Sequence, residues 1–229
     1  MRNKIKVIAF DADDTLWVNE PYFRQAEDQF CALLEDYLPQ HSVAKELFRI
    51  EMQNLELYGY GIKGFMLSMI EAVDVITGGT APLSLVNRAI EIGKDMLQRP
   101  IELLEGIEDT LAALQGRFRL VVATKGDLLD QERKLNKSGL QKYFHHIEIM
   151  SDKKVANYQK LLKHLDCAPA EFLMLGNSVK SDVLPVLEIG GYAAHIPYHI
   201  TWQHEVHEMN VEHENFLALE RADQILEHI

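Results

Sequence analysis

Three carboxylates and a hydroxyl stand close together at Asp11, Asp13, Asp14 and Thr15. They follow an apolar run, residues 4–10, that reads as a buried strand. Open α/β sheets bind ligands just outside the carboxyl ends of their strands, where this acidic turn falls. So many carboxylates beside a core are unfavourable unless a cation or another partner compensates them. A divalent metal is the simplest compensator, because hard cations take oxygen ligands. An acidic turn with no further role is the plainer alternative for a motif this short.

Three more clusters have the same placement. Thr124-Lys125-Gly126-Asp127 follows the run Val121-Val122-Ala123. A glycine there lets backbone N–H groups approach a phosphate at a helix start, although Asp127 could simply be an N-cap. Ser151-Asp152-Lys153-Lys154 follows the run ending at Met150 and offers a cation, or an ordinary surface lysine. Gly176-Asn177-Ser178-Val179-Lys180-Ser181-Asp182 follows Leu175 and sets an amide oxygen and an acid beside a helix start. That suits metal coordination, and an ordinary helix cap is the alternative. Each of these three is weak alone. Their order and common placement are not.

Strands must position these clusters. Short apolar runs at 4–10, 119–123, 147–150, 172–175 and 192–196 predict five of them. From the second onward, helical patterns separate the runs. Leu128, Leu129 and Leu135 precede Ser138-Gly139; Val155, Tyr158, Leu161, Leu162 and Leu165 recur at helical spacing; Val183, Val186, Leu187 and Ile189 lead into Gly190-Gly191. The expected fold class is α/β, a doubly wound, Rossmann-like parallel sheet. All four clusters would then lie at one edge of it. One interval breaks the rhythm. Residues 18–104 hold no convincing strand and repeat apolar residues helically, from Phe23 and Phe30 to Ile90 and Met96. This predicts an inserted bundle of about four helices, with residues 1–17 and 105–229 forming the core domain.

Composition narrows the function classes. The chain has 229 residues and a formal net charge of −12, which argues against nucleic acid or an anionic membrane as its main partner. Binding an anionic substrate would then require a metal or a few placed cations. Only Cys31 and Cys167 are present, so a disulfide scaffold is not expected. No apolar stretch is long enough to span a bilayer, and no charged-then-apolar leader precedes the first strand; a cytoplasmic location is expected. His195, His199, His204, His207 and His213 cluster late in the chain, but their spacing matches no standard zinc pattern.

Taken together, the four clusters resemble, in order, the four motifs of the haloacid dehalogenase-like superfamily, and the helical interval resembles that superfamily's cap. The resemblance runs over essentially the whole chain. It implies that Asp11 is a nucleophile forming an aspartyl-phosphate and that Asp13 is the general acid and base. It implies that Thr15 fixes the loop, and that Thr124 with the Lys125 and Gly126 backbone holds phosphoryl oxygens. Lys153 would neutralise charge, with Lys154 as the alternative. Asp11, the Asp13 carbonyl, Asn177 and Asp182 would hold magnesium. Two departures stand out: asparagine replaces the usual aspartate at 177, and lysine occupies position 125, where asparagine is common.

The implied activity is magnesium-dependent hydrolysis of a small phosphorylated metabolite by a monomer or homodimer. A phosphomutase shares the same motifs. A metal-free haloacid dehalogenase would lack the acid that Asp13 supplies here. A non-catalytic binder is the reading from a different class, and Asn177 alone favours it.

Overall fold

The structure, a computed structural model, describes residues 4–206 and 211–229. Among these residues one sheet contains six strands, all parallel: β1 (Val7–Phe10), β2 (Arg119–Lys125), β3 (His146–Met150), β4 (Phe172–Gly176), β5 (Tyr192–His195) and β6 (Phe216–Ala218). Their order is β3-β2-β1-β4-β5-β6. The expected doubly wound α/β class and its five strands are present. The sixth, Phe216-Leu217-Ala218, is too short for alternation to reveal it. The helices are α1 (Glu20–Leu33), α2 (Gln40–Tyr58), α3 (Ile62–Thr77), α4 (Leu83–Gln98), α5 (Ile107–Leu114), α6 (Leu128–Ser138), α7 (Val155–His164) and α8 (Leu184–Glu188).

β1 shows why the sheet is two-faced. Successive side chains on a strand point to opposite sides. Ile8 and Phe10 pack with Leu120, Val122, Leu173 and Leu175. Val7 and Ala9 pack with Val121, Ala123, Phe172 and Met174. Both sides are buried, so the strand reads as a continuous apolar run, as parallel strands covered by helices do. β1 is also where the strand order reverses, with β2 on one side and β4 on the other. The crevice at the carboxyl ends of such strands is the usual ligand site of this architecture.

The chain divides into two compact units. One contains the described residues up to Glu20, Ile101–Lys125 and Glu132–Ile229, including the whole sheet. The segments leaving and re-entering it run antiparallel. Val18 N donates to Glu102 O (2.9 Å), and Leu104 N to Leu16 O (3.0 Å). The other unit contains Pro21–Pro100 with Gly126–Gln131. Its helices α1 to α4 enclose a separate core of Phe30, Leu34, Val43, Leu47, Phe65, Met69, Val73 and Ile92. Within it, Lys63 Nζ reaches Asp127 Oδ1 at 2.9 Å.

Candidate active site

Asp11 directly follows β1, and its backbone N–H donates to Leu175 O of β4 at 2.8 Å, pinning it between the two strands. Lys153, between β3 and α7, donates from Nζ to Asp11 Oδ1, and to Asp182 Oδ1 at 2.6 Å. The three side chains are buried, Lys153 to 3% exposure. Lys154 is 79% exposed at its side chain and pairs with Asp152 instead. The structure thus sets Lys153, not Lys154, against Asp11. Burial raises the Asp11 carboxyl above its usual range, with the Lys153 charge opposing. Burial alone would lower Lys153, but Asp11 and Asp182 outweigh it and lift it above the ordinary lysine value. A cation is thereby kept charged against the carboxylate that needs it.

Asp13 faces a different set of partners. Its Oδ1 accepts from Trp17 Nε1 at 2.7 Å and from Lys134 Nζ at 2.9 Å, and Lys134 also donates to Asn19 Oδ1 at 2.8 Å. Asp14, third in the acidic run, has left-handed backbone (φ 59°) and accepts from the N–H groups of Asn19 (2.9 Å) and Glu20 (3.0 Å). It therefore satisfies amide donors at the start of α1, a structural role. Burial pushes its carboxyl up to about 8, while these N–H donors pull the other way.

Thr15 Oγ1 lies 3.4 Å from Asp11 Oδ2 and donates to Asn177 Oδ1 at 3.2 Å. The inward-facing atom of the Asn177 carboxamide is 3.2 Å from each of Asp13 O, Asp11 Oδ2 and Thr15 Oγ1. With nitrogen inward, the amide donates to all three. With oxygen inward, it adds a third acceptor beside the Asp11 and Asp13 oxygens. Magnesium takes octahedral oxygens at about 2.1 Å, which sets neighbouring ligands about 3 Å apart. With oxygen inward, the Asn177, Asp13 and Asp11 oxygens are the donor type that ion takes, with Asp11 as the sole carboxylate among them. Among the described residues no group of three or more His, Cys, Asp or Glu side chains is arranged to hold a metal. A site at this face would therefore rest on one charge and neutral oxygens.

Asp182, expected among the metal ligands, has both oxygens engaged by protein donors: Oδ1 by Lys153 and Oδ2 by Ser178 N at 3.0 Å. It lies in a π-helical turn, Val179–Val183. Such turns concentrate at functional sites. Gly176 makes room for it, because a Cβ there would stand 2.1 Å from Asp182 Oδ2. Tyr158 OH anchors the same turn by donating to Ser181 O at 3.0 Å.

Thr124 is buried at the end of β2, with Oγ1 donating to Lys125 O at 3.2 Å. The Lys125 side chain is held by Ser181 Oγ (2.9 Å) and Glu205 (2.6 Å). Gly126 follows with φ 134°, and a Cβ there would crowd the Gln131 side chain at 3.1 Å. It is grouped with the helical unit. The structure thus brings Asp11, Thr15, Lys153, Asn177 and Asp182 into direct contact, sets Asp13 on its own partners, and ties Lys125 to the Asp182 turn.

Three participants went unread in the sequence. By residue type alone Trp17 could line a cleft, but burial explains it equally well. Lys134 and Glu205 carry no motif, and neither can be placed without the tertiary fold. Of the late histidines, His195 Nε2 lies 3.0 Å from Asn177 O, and His207 is outside the described residues.

A family model for haloacid dehalogenase-like hydrolases matches residues 5–190. Among curated proteins, none matches significantly. A haloacid dehalogenase-like family hydrolase from Xanthomonas campestris is 36% identical, covering 96% of this chain and 88% of that one, with a TM-score of 0.87. A 2-haloacid dehalogenase from Pseudomonas syringae pv. Tomato aligns at 17% identity over 97% of each chain, with a TM-score of 0.67. A HAD phosphatase from Thermococcus onnurineus aligns at 16% identity, 98% and 97% coverage and a TM-score of 0.66. The last two share the fold alone.

Proposed function

This chain belongs to the haloacid dehalogenase-like hydrolase family, and we propose that it is a magnesium-dependent phosphatase of a small phosphorylated metabolite. The observation that carries this reading is a pair of acids two residues apart, each held by its own partners. Asp11 faces the Lys153 ammonium, and Asp13, two residues on, is held by Trp17 and Lys134. One carboxylate is set to attack and the other to move a proton.

In this reading an Asp11 oxygen attacks phosphorus, the bond to the leaving oxygen breaks, and Asp13 gives that oxygen its proton. Water then attacks the phosphorus of the aspartyl-phosphate, and Asp13 takes the proton back. The Asp11–phosphorus bond breaks and inorganic phosphate leaves. Lys153 offsets the charge of nucleophile and phosphoryl group. Thr124 and the Lys125 and Gly126 backbone receive phosphoryl oxygens. Asp11, the Asp13 carbonyl and Asn177 would hold magnesium, with Asp182 acting behind them through Lys153; when bound, the ion neutralises phosphoryl charge. The helical unit is assigned the part of a cap that selects the substrate. The protein would work in the cytoplasm as a monomer or homodimer, with neither nucleic acid nor membrane as partner. Among the described residues no helix is long and apolar enough to cross a membrane.

One observation favours a second reading. With its nitrogen inward, Asn177 satisfies Asp11 and Asp13 without any ion, as a metal-free haloacid dehalogenase would require. A panel of phosphorylated metabolites and 2-haloacids, each assayed with magnesium and with excess chelator, separates the two. Phosphate release that chelator stops supports the phosphatase. Halide release in chelator would replace it.

A further inference from the structure

Glu205 stands in a short 3-10 turn, Gln203–Glu205, on the connection between β5 and β6. Its side chain is 11% exposed, and three donors converge on its carboxylate: Lys125 Nζ at 2.6 Å, Ser181 Oγ at 2.7 Å and Ser178 Oγ. Lys125 Nζ also donates to Ser181 Oγ at 2.9 Å, closing the ring. A buried ion pair of this kind is weak evidence for stability, because apolar residues of similar volume often serve as well. What it does impose is geometry.

The geometry leads to the nucleophile. Ser178 Oγ, which donates to Glu205, also accepts from Ser181 N at 3.0 Å. Ser178 N holds Asp182 Oδ2 at 3.0 Å, and Asp182 N donates back to Ser178 O at 2.8 Å. Asp182 Oδ1 holds Lys153, and Lys153 holds Asp11. The other arm grips Lys125, beside Thr124. An ammonium next to a phosphate-binding residue would compete with Lys153 for an anionic substrate if nothing engaged it.

We propose that Glu205 is a positioning residue of the active site: it fixes the Ser178–Ser181 turn so that Asp182 stays on Lys153, and it occupies the Lys125 ammonium. The Lys125 side chain thereby has a fixed partner 80 residues later in the chain. This inference rests on the phosphatase reading above, and two measurements keep the two apart.

The first is steady-state hydrolysis of p-nitrophenyl phosphate at saturating magnesium. Glu205→Ala should lower kcat about 30-fold with KM changed less than about threefold, since a misplaced Lys153 weakens transition-state stabilisation more than ground-state binding. Glu205→Gln, whose carbonyl still accepts from a serine, should keep kcat within about fivefold. A residue needed only for folding would lower the melting temperature without separating Ala from Gln in kcat; that result overturns the proposal.

The second is a crystal structure of Glu205→Ala, which needs no turnover. Asp182 should leave Ser178 N and loosen from Lys153. An unmoved Ser178–Asp182–Lys153 chain overturns the proposal even if activity falls. If the wild type hydrolyses no phosphomonoester, the phosphatase reading fails and the crystal structure alone decides on Glu205. If Glu205→Ala does not fold, the Ser178→Ala, Ser181→Ala double variant carries both measurements with the same expected direction.

Discussion

The two units of this chain use buried space in opposite ways. At the strand ends of the sheet unit, Asp11, Lys153 and Asp182 are buried as charges. Within Pro21–Pro100 of the helical unit the core is built from Phe30, Leu34, Val43, Met69 and Val73, the buried polar side chains are the uncharged Asn54, Ser68 and Thr77, and helix ion pairs such as Arg49–Glu46 and Arg88–Glu91 lie on the surface. Apolar burial contributes stability in proportion to area. Buried charge contributes little net stability, and removing one partner leaves the others uncompensated. The buried Asp11–Lys153–Asp182 group coincides with the residues to which the proposed function assigns chemistry.

Lys153→Met tests the buried charges most severely. It should reduce turnover by about a thousandfold or more and destabilise the fold by about 3–5 kcal/mol at neutral pH, since two carboxylates lose their shared cation. Denaturant melts beside kinetics check both. A stable, active variant would mean the buried triad is incidental. Met69→Ala is the counterpart in the helical unit. It should cost about 2–5 kcal/mol through the cavity left in an apolar core, while kcat measured well below the melting temperature stays close to wild type. A large loss of kcat in a folded Met69→Ala protein would place chemistry where none is assigned.

Acid stability reports on Glu205. Burial would raise the Glu205 carboxyl, but the Lys125 charge and its hydrogen-bond donors bring it down to about 2. A carboxyl depressed in the folded state stabilises that state above its unfolded value, near 4.5, and loses the contribution as pH falls from there towards 2. Wild type should therefore shed on the order of 3 kcal/mol across that window, and Glu205→Gln should lack this component. Melts at stepped pH measure it, and parallel curves would show that Glu205 does not carry the effect. The smallest effect concerns Asn177→Asp. Added charge at the oxygen face should lower the magnesium needed for half-maximal activity by about tenfold or less, screening included. An unchanged magnesium titration would remove Asn177 from the ion's surroundings.

The sheet was legible because its strands are apolar on both faces, which makes runs such as Val121-Val122-Ala123 conspicuous. β6 was not, because three residues, two half-buried and one exposed, carry no period. The acidic turn was legible because Asp11, Asp13 and Thr15 are local in sequence. Glu205 and Lys134 were invisible for the opposite reason. Glu205 acts on residues 24 to 80 positions away, Lys134 reaches Asp13 across 121, and nothing near either residue marks it. Helix α6 also misleads by composition: Leu128 and Leu129 are exposed, while Asp130 and Gln131 are buried. The sequence does not say what the helical unit selects, since its periodicity reports packing and not chemistry.

In the proposed reaction Asp11 receives a phosphoryl group. Wild type and Asp11→Asn should be mixed with a phosphomonoester substrate and magnesium, quenched in acid within a turnover, digested and read by mass spectrometry. Wild type should carry a phosphoryl adduct on Asp11 that is lost in Asp11→Asn and absent from wild type when magnesium is chelated. Turnover by wild type with no adduct on Asp11, or continued phosphate release by Asp11→Asn, would contradict that reaction.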